Sequence, residues 1–158
     1  MKESLRTGIS FGLTSAVITT LGLMVGLHSG THSKTVVLAG ILTIAIADAF
    51  SDALGIHVSE EANNSRSSMQ VWVATIVTFL SKCLFALTFV VPVLLFSLAN
   101  AIIISLLWGL TILTVLSYTI AKSQGEPPWK IIGEHLFIAT LVLFITRWVG
   151  EWIGRWGA

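Results

Sequence analysis

The sequence predicts an all-α, polytopic membrane protein with five transmembrane helices, and three observations carry that class. Of its 158 residues, 54% are hydrophobic and only 11% charged, whereas a soluble domain is about a quarter charged. Mean hydropathy is +0.88. The charges also leave long gaps: no Asp, Glu, Lys or Arg lies from Thr7 to Ser33, or from Cys83 to Ala121. The second gap would run roughly 58 Å as one straight helix. A bilayer core is about 30 Å thick, so this stretch is expected to fold back once and supply two spans.

The first span is placed at 9–27. MKESLRTG runs directly into it, with no small-x-small cleavage site before His28, and is expected to act as a retained signal-anchor. Small residues Gly8, Gly12, Ser15, Thr19, Gly22 and Gly26 recur every three or four positions. They draw one stripe that lets another helix approach closely. HSGTHSK is a loop. Its His28 and His32 are either plain loop residues or a weak metal-collecting pair. The second span, 35–57, has Gly55 among its small packing residues and ends on the polar loop SEEANNSRSS. The third, 70–96, contains Pro92, which is expected to kink or shorten it. A turn near Ser97 to Asn100 follows, with Asn100 read as a helix cap. The fourth span is 101–121. KSQGEPPWK is a breaker-rich loop, and the fifth span is 131–150, with Glu134 as an acid at its start. Trp148, Trp152 and Trp156 then lie four apart in a tail suited to the headgroup layer. The whole chain, 1–158, reads as a single transmembrane domain.

Basic residues orient the spans. Lys2, Arg6, Arg66, Lys122 and Lys130 would share one side, and Lys34 and Arg155 the other, with Arg147 near the latter. The positive-inside rule then puts the N-terminus in the cytoplasm. A multi-pass protein of the cell membrane is expected. A net charge of +1 gives no reason to expect nucleic acid as a partner, and the single Cys83 excludes an intramolecular disulfide. No metalloprotease, nucleotide-loop or hydrolase constellation is present, so no enzyme activity and no tightly bound cofactor are expected.

The informative residues are the ionisable ones inside the apolar stretches. Asp48 and Asp52 are one turn apart on one helix face. Each ionised carboxylate at such depth costs on the order of 3 kcal/mol. Two of them also repel, so one is expected to hold a proton that an entering cation would displace. Lys82 lies near mid-span in the third helix and is the obvious partner. It can be a structural counter-charge, a residue that replaces a cation or gates the site, or a side chain that snorkels to the lipid surface. Asp48, Asp52 and His57, with the hydroxyls of Ser15 and Thr19, are the candidate metal ligands. Met24 and Met69 read as packing residues.

GLTSAVITTLGLMVGL, followed by VVLAGILTIAIADAFSDALGIHVSEEA, resembles the first two helices of the vacuolar iron transporter family. That family includes the yeast Ca2+-sensitive cross-complementer proteins and plant iron and manganese transporters. The frame of small residues and serines extends over some fifty positions, and the span count agrees. The resemblance implies a dimeric five-helix antiporter that moves Fe2+ or Mn2+ against protons, with its pore at the homodimer interface. It assigns the metal site to Ser15 and Asp52, and the proton-linked or entrance acids to Asp48 and Ile56. The departures are specific. Ser15 stands where the family has an acid, Asp52 where it has a methionine, and Ile56 where it has an acid. The cytoplasmic metal-collecting insert is missing, leaving only the loop near Glu60 and Glu61. In one reading the carboxylate has moved from helix 1 to helix 2, and losing the methionine would favour harder ions such as Mn2+. The alternatives are a repurposed, non-transporting membrane scaffold or interaction protein, or a transporter of another substrate.

Overall fold

Apolar segments of this length leave the backbone no partner but itself, which in a bilayer means helix. A computed structural model of the chain describes residues 1–156. It contains α1 (Lys2–Thr31), α2 (Lys34–Glu61), α3 (Ser68–Thr88), α4 (Val90–Leu95), α5 (Leu98–Gln124) and α6 (Pro128–Gly154). Taken as one broken element, α3 and α4 join the other four to make five passes, each long and apolar enough to cross a membrane. The chain is thus an all-α, five-pass protein of membrane-spanning type.

Local chemistry sets the helix ends. α1 stops where His32 adopts a left-handed φ of 50° and donates its N–H to His28. Ser33 then caps α2, its side chain accepting from the Val36 N–H. Ser67 and Gln70 form a reciprocal capping box at the start of α3. Gly125, at φ 73°, ends α5, and Pro128 opens α6 where its missing N–H costs nothing. The helices run past the apolar windows at both ends, so the connections are shorter than hydropathy suggests.

The interruption expected from Pro92 is present and centred on Phe89, while two other expectations change. Pro92 has no N–H to offer the Thr88 carbonyl four residues back, and its ring crowds that carbonyl. The interruption therefore appears one turn upstream. Asn100 is not a cap: it lies inside the first turn of α5, and extended Ser97 holds the cap position. Trp148 and Trp152 are not in a separate tail, because α6 continues unbroken through them to Gly154.

α1 packs against α2, α3, α5 and α6. Its small-residue stripe serves two partners at different levels. Gly8 and Gly12 face α3, where an added Cβ would lie 2.9 Å from the Ala74 carbonyl and 2.8 Å from the Thr78 carbonyl respectively. Gly22 and Gly26 face Val142 and Thr146 of α6. Gly55 does not share that role: a Cβ there would meet nothing within 4 Å. The packed ridge of α2 is instead Val37, Ile41, Ala45, Ala49 and Ala53, which leaves Gly55 on the outer side.

Much of the remaining surface is apolar. Phe137 and Phe144 on α6 are 69% and 70% exposed, and Leu107 on α5 is 65% exposed. Apolar surface that extensive marks a membrane or a partner, not water. At one end Lys34 donates to the carbonyls of Leu94 and Phe96 at 3.1 and 3.2 Å, satisfying groups freed at the end of α4. At the other end Arg66 joins Glu60 at 2.9 Å and Glu3 at 3.0 Å. The Glu3 carboxylate holds that guanidinium above its usual range.

Candidate functional site

The spacing of Asp48 and Asp52 sets both carboxylates on one side of α2, beside the alanine ridge 45–49–53. Small residues on that ridge let α3 come close. Gly12 does the same from α1, since its missing Cβ leaves room for the Thr78 carbonyl and the Lys82 backbone. Three helices thereby converge on one side chain, Lys82.

The Lys82 ammonium forms ion pairs with Asp48 Oδ2 and Asp52 Oδ2, the latter at 2.5 Å. It also donates to Ser15 Oγ at 2.8 Å. An ammonium has three N–H donors; Ser15 and Asp52 accept from this one, while Asp48 Oδ2 is held by charge and makes no hydrogen bond. Lys82 is 1% exposed, while the side chains of Asp48 and Asp52 are 29% and 19% exposed. The cation is therefore inside, and the carboxylates form its outer wall. Two carboxylates against one ammonium leave a formal charge of −1. Desolvating such a group costs several kcal/mol per ion, which the short contacts offset only while all partners remain.

Asp48 is also reached from outside. A groove of about 410 Å³ runs between α1 and α2. Leu23, Leu27, Val36, Gly40 and Thr43 line it, and it ends on Asp48. Its walls are mainly apolar, and Thr43 and Asp48 are its polar side chains.

Of the remaining candidates, Thr19 is close in sequence but spends its hydroxyl proton on the Ser15 carbonyl at 2.8 Å. His57 is not brought to the carboxylates. Five residues after Asp52, it is turned roughly 140° around the helix, where its Nδ1 lies 2.9 Å from Thr75 Oγ1. Thr75 already donates to Val71, so His57 Nδ1 is the donor and Nε2 faces Glu61 at 4.0 Å. Ile56 is half-buried, Met24 lies in the core, and Glu134 is exposed on α6. Glu60 is bound to Arg66. Among the described residues, no three His, Cys, Asp or Glu side chains converge as a metal site.

One part-buried polar pair is unforeseen. His135 Nδ1 lies 2.7 Å from Ser117 Oγ, across the α5–α6 hairpin. The serine donates to the Leu113 carbonyl, so the histidine is again the donor. A lone serine and a lone histidine in separate apolar runs carry no signal that they meet. Compared with models of known families, with curated proteins and with solved structures, the chain shows no match.

Proposed function

We propose that this chain is a cation transporter acting as a homodimer, exchanging a divalent metal, Fe2+ or Mn2+, for protons. The observation that carries this reading is the Asp48–Lys82–Asp52 cluster inside the membrane-spanning bundle, with one carboxylate at the end of a groove. Intramembrane ionisable residues are rare, costly and usually tied to ion pathways.

Charge balance suggests how exchange proceeds. With Lys82 protonated, the cluster carries −1, and adding a divalent ion would bring it to +1 in a low-dielectric setting. If Lys82 releases one proton as the ion enters, the cluster becomes neutral. Lys82 is then a tethered cation that competes with the transported one, and its Nζ proton is the coupling proton. Asp48, Asp52 and Ser15 would supply the oxygen ligands. An all-oxygen set suits Mn2+ better than softer ions.

The dimer rests on the outer side of α2. Ala39, Thr43, Ala47, Ser51 and Gly55 are small, spaced by four and exposed or half-exposed next to the carboxylates. A second copy packed there would roof the groove and bring two Asp52 side chains toward one axis.

One feature favours a non-transporting scaffold instead: Lys82 already pairs in charge with both carboxylates. Uptake of Mn2+ and Fe2+ by purified protein in liposomes, with and without a pH gradient, separates the two. Transport predicts flux with proton counterflow, and loss of both in Asp52→Ala while the dimer persists. Flux retained in that variant refutes the mechanism. No flux for either metal from folded wild-type dimer supports the scaffold.

A further inference from the structure

At the end of the bundle where α1 and α6 finish and α5 begins, a cavity of about 780 Å³ opens between the three helices. Its two sides differ in chemistry. Val25 of α1 and Ile102, Ile103 and Leu106 of α5 make an apolar floor. His28 and His32 of α1, with Arg147, Glu151 and Arg155 of α6, make a polar wall that rises from about the level of Val25 to the mouth.

The mouth has unspent donors. Arg147 uses Nε on Glu151 of its own helix at 2.8 Å, and its two terminal nitrogens make no hydrogen bond among the described residues. Arg155 makes no side-chain hydrogen bond or ion pair among them. His28 Nδ1 is buried without a partner, and its ring meets that of His32 edge to face at 5.5 Å. Two guanidiniums against one carboxylate leave +1 with both imidazoles neutral. That charge matches one phosphodiester monoanion, and guanidiniums bind phosphate bidentately. Arg147 stands roughly 10 Å below Gly154 along α6, inside a helix long and apolar enough to cross a membrane. Trp148 adjoins Arg147, and Trp152 lies about 8 Å beyond Arg147 along the helix; tryptophans are enriched at membrane–water interfaces.

We propose that this cavity binds an anionic phospholipid, its phosphodiester held by Arg147 and Arg155 with His28 between their levels, and its acyl chain laid on Ile102, Ile103 and Leu106. The site is separate from the Lys82 cluster, and the proposal stands whether or not the chain transports metal. An open cavity with an apolar floor in a bilayer is in contact with lipid, and the charge of the mouth selects which lipid.

The test is native mass spectrometry of delipidated full-length protein titrated with phosphatidylglycerol or phosphatidylcholine of identical chains. Inorganic phosphate and glycerophosphate serve as competitors. The expected result is at least about ten-fold tighter binding of phosphatidylglycerol, falling to parity in Arg147→Gln/Arg155→Gln. Both arginines are exposed, so this variant should fold; an unchanged melting temperature without lipid checks that. Should the double variant not fold, Ile103→Ser is expected to weaken both lipids about equally while the ten-fold preference for phosphatidylglycerol remains. Equal binding of the two lipids by the wild type overturns the proposal, as does a preference that survives in a folded double variant. Displacement of phosphatidylglycerol by millimolar phosphate would assign the mouth to a free anion and overturn the lipid.

Discussion

The Lys82 ammonium stands 2.5 Å from the Asp52 carboxylate, and the cation of the pair is the one sealed inside, at 1% exposure against 19%. Removing the lysine strands two carboxylates that face each other. Lys82→Met is therefore expected to destabilise the fold toward the lower part of the range for breaking a buried pair, about 3–5 kcal/mol, because the carboxylates keep partial exposure. Thermal unfolding in detergent measures this. Adding Asp48→Asn and Asp52→Asn to the same chain should restore most of the loss. If Lys82 occupies a cation site, Mn2+ should raise the melting temperature of Lys82→Met more than that of the wild type. An equal response in the two proteins would count against the tethered-cation reading.

Gly55 separates folding from assembly. Nothing within the chain lies within 4 Å of a Cβ placed there, so Gly55→Leu should leave the monomer fold and its melting behaviour nearly unchanged. In a dimer built on the outer side of α2, the same substitution should shift the population to monomer in size-exclusion chromatography with light scattering. A dimer of unchanged stability would move the interface elsewhere.

Gly150 is the contrasting case. A Cβ on it would overlap the Gly26 carbonyl, a backbone atom with no rotamer to yield. Gly150→Ala should cost at least the about 1–3 kcal/mol typical of overpacking, read as a lower unfolding midpoint. Gly133 lies on the same helix with nothing near its Cβ. Gly133→Ala should be neutral, or stabilising by up to about 1 kcal/mol through helix propensity.

Pro92→Ala restores an N–H that the Thr88 carbonyl can accept. α3 and α4 are then expected to fuse, and the amide at position 92 should become strongly protected in hydrogen exchange. Phe89, fully buried and facing Gly109, would be pulled from its seat, so a lower melting temperature should accompany the protection. Protection without destabilisation would mean that the break is dispensable for packing.

Hydropathy and charge gaps are enough to find all five passes, because lipid exposure acts on whole segments. The pairing of Lys82 with the aspartates also follows from sequence, since a charge at that depth has few places to go. Which aspartate it takes does not follow, and it takes both. Thr19 and His57 illustrate why the ligand set was harder to read. A threonine in a helix readily bonds its own backbone, and five residues of helix turn a side chain away from the face it would need. The glycine stripe of α1 announces a close neighbour without naming one. The answer, α3 below and α6 above, depends on how two helices distant in sequence cross it.

That division of α1 has a consequence for biosynthesis. Among the five passes described, α1 is synthesised before α6, yet the nearest atoms to a Cβ on Gly22 or Gly26 all belong to α6. Until residues 128–154 are made and inserted, the glycine face at Gly22 and Gly26 lacks its α6 contacts, although Leu21, Leu23 and Leu27 on the same half of α1 can already pack on α2 and α5. A chain arrested after Gln124 should therefore insert four passes but remain a substrate for membrane quality-control proteases. Adding the final pass in trans, as a separate peptide of residues 125–158, should rescue it.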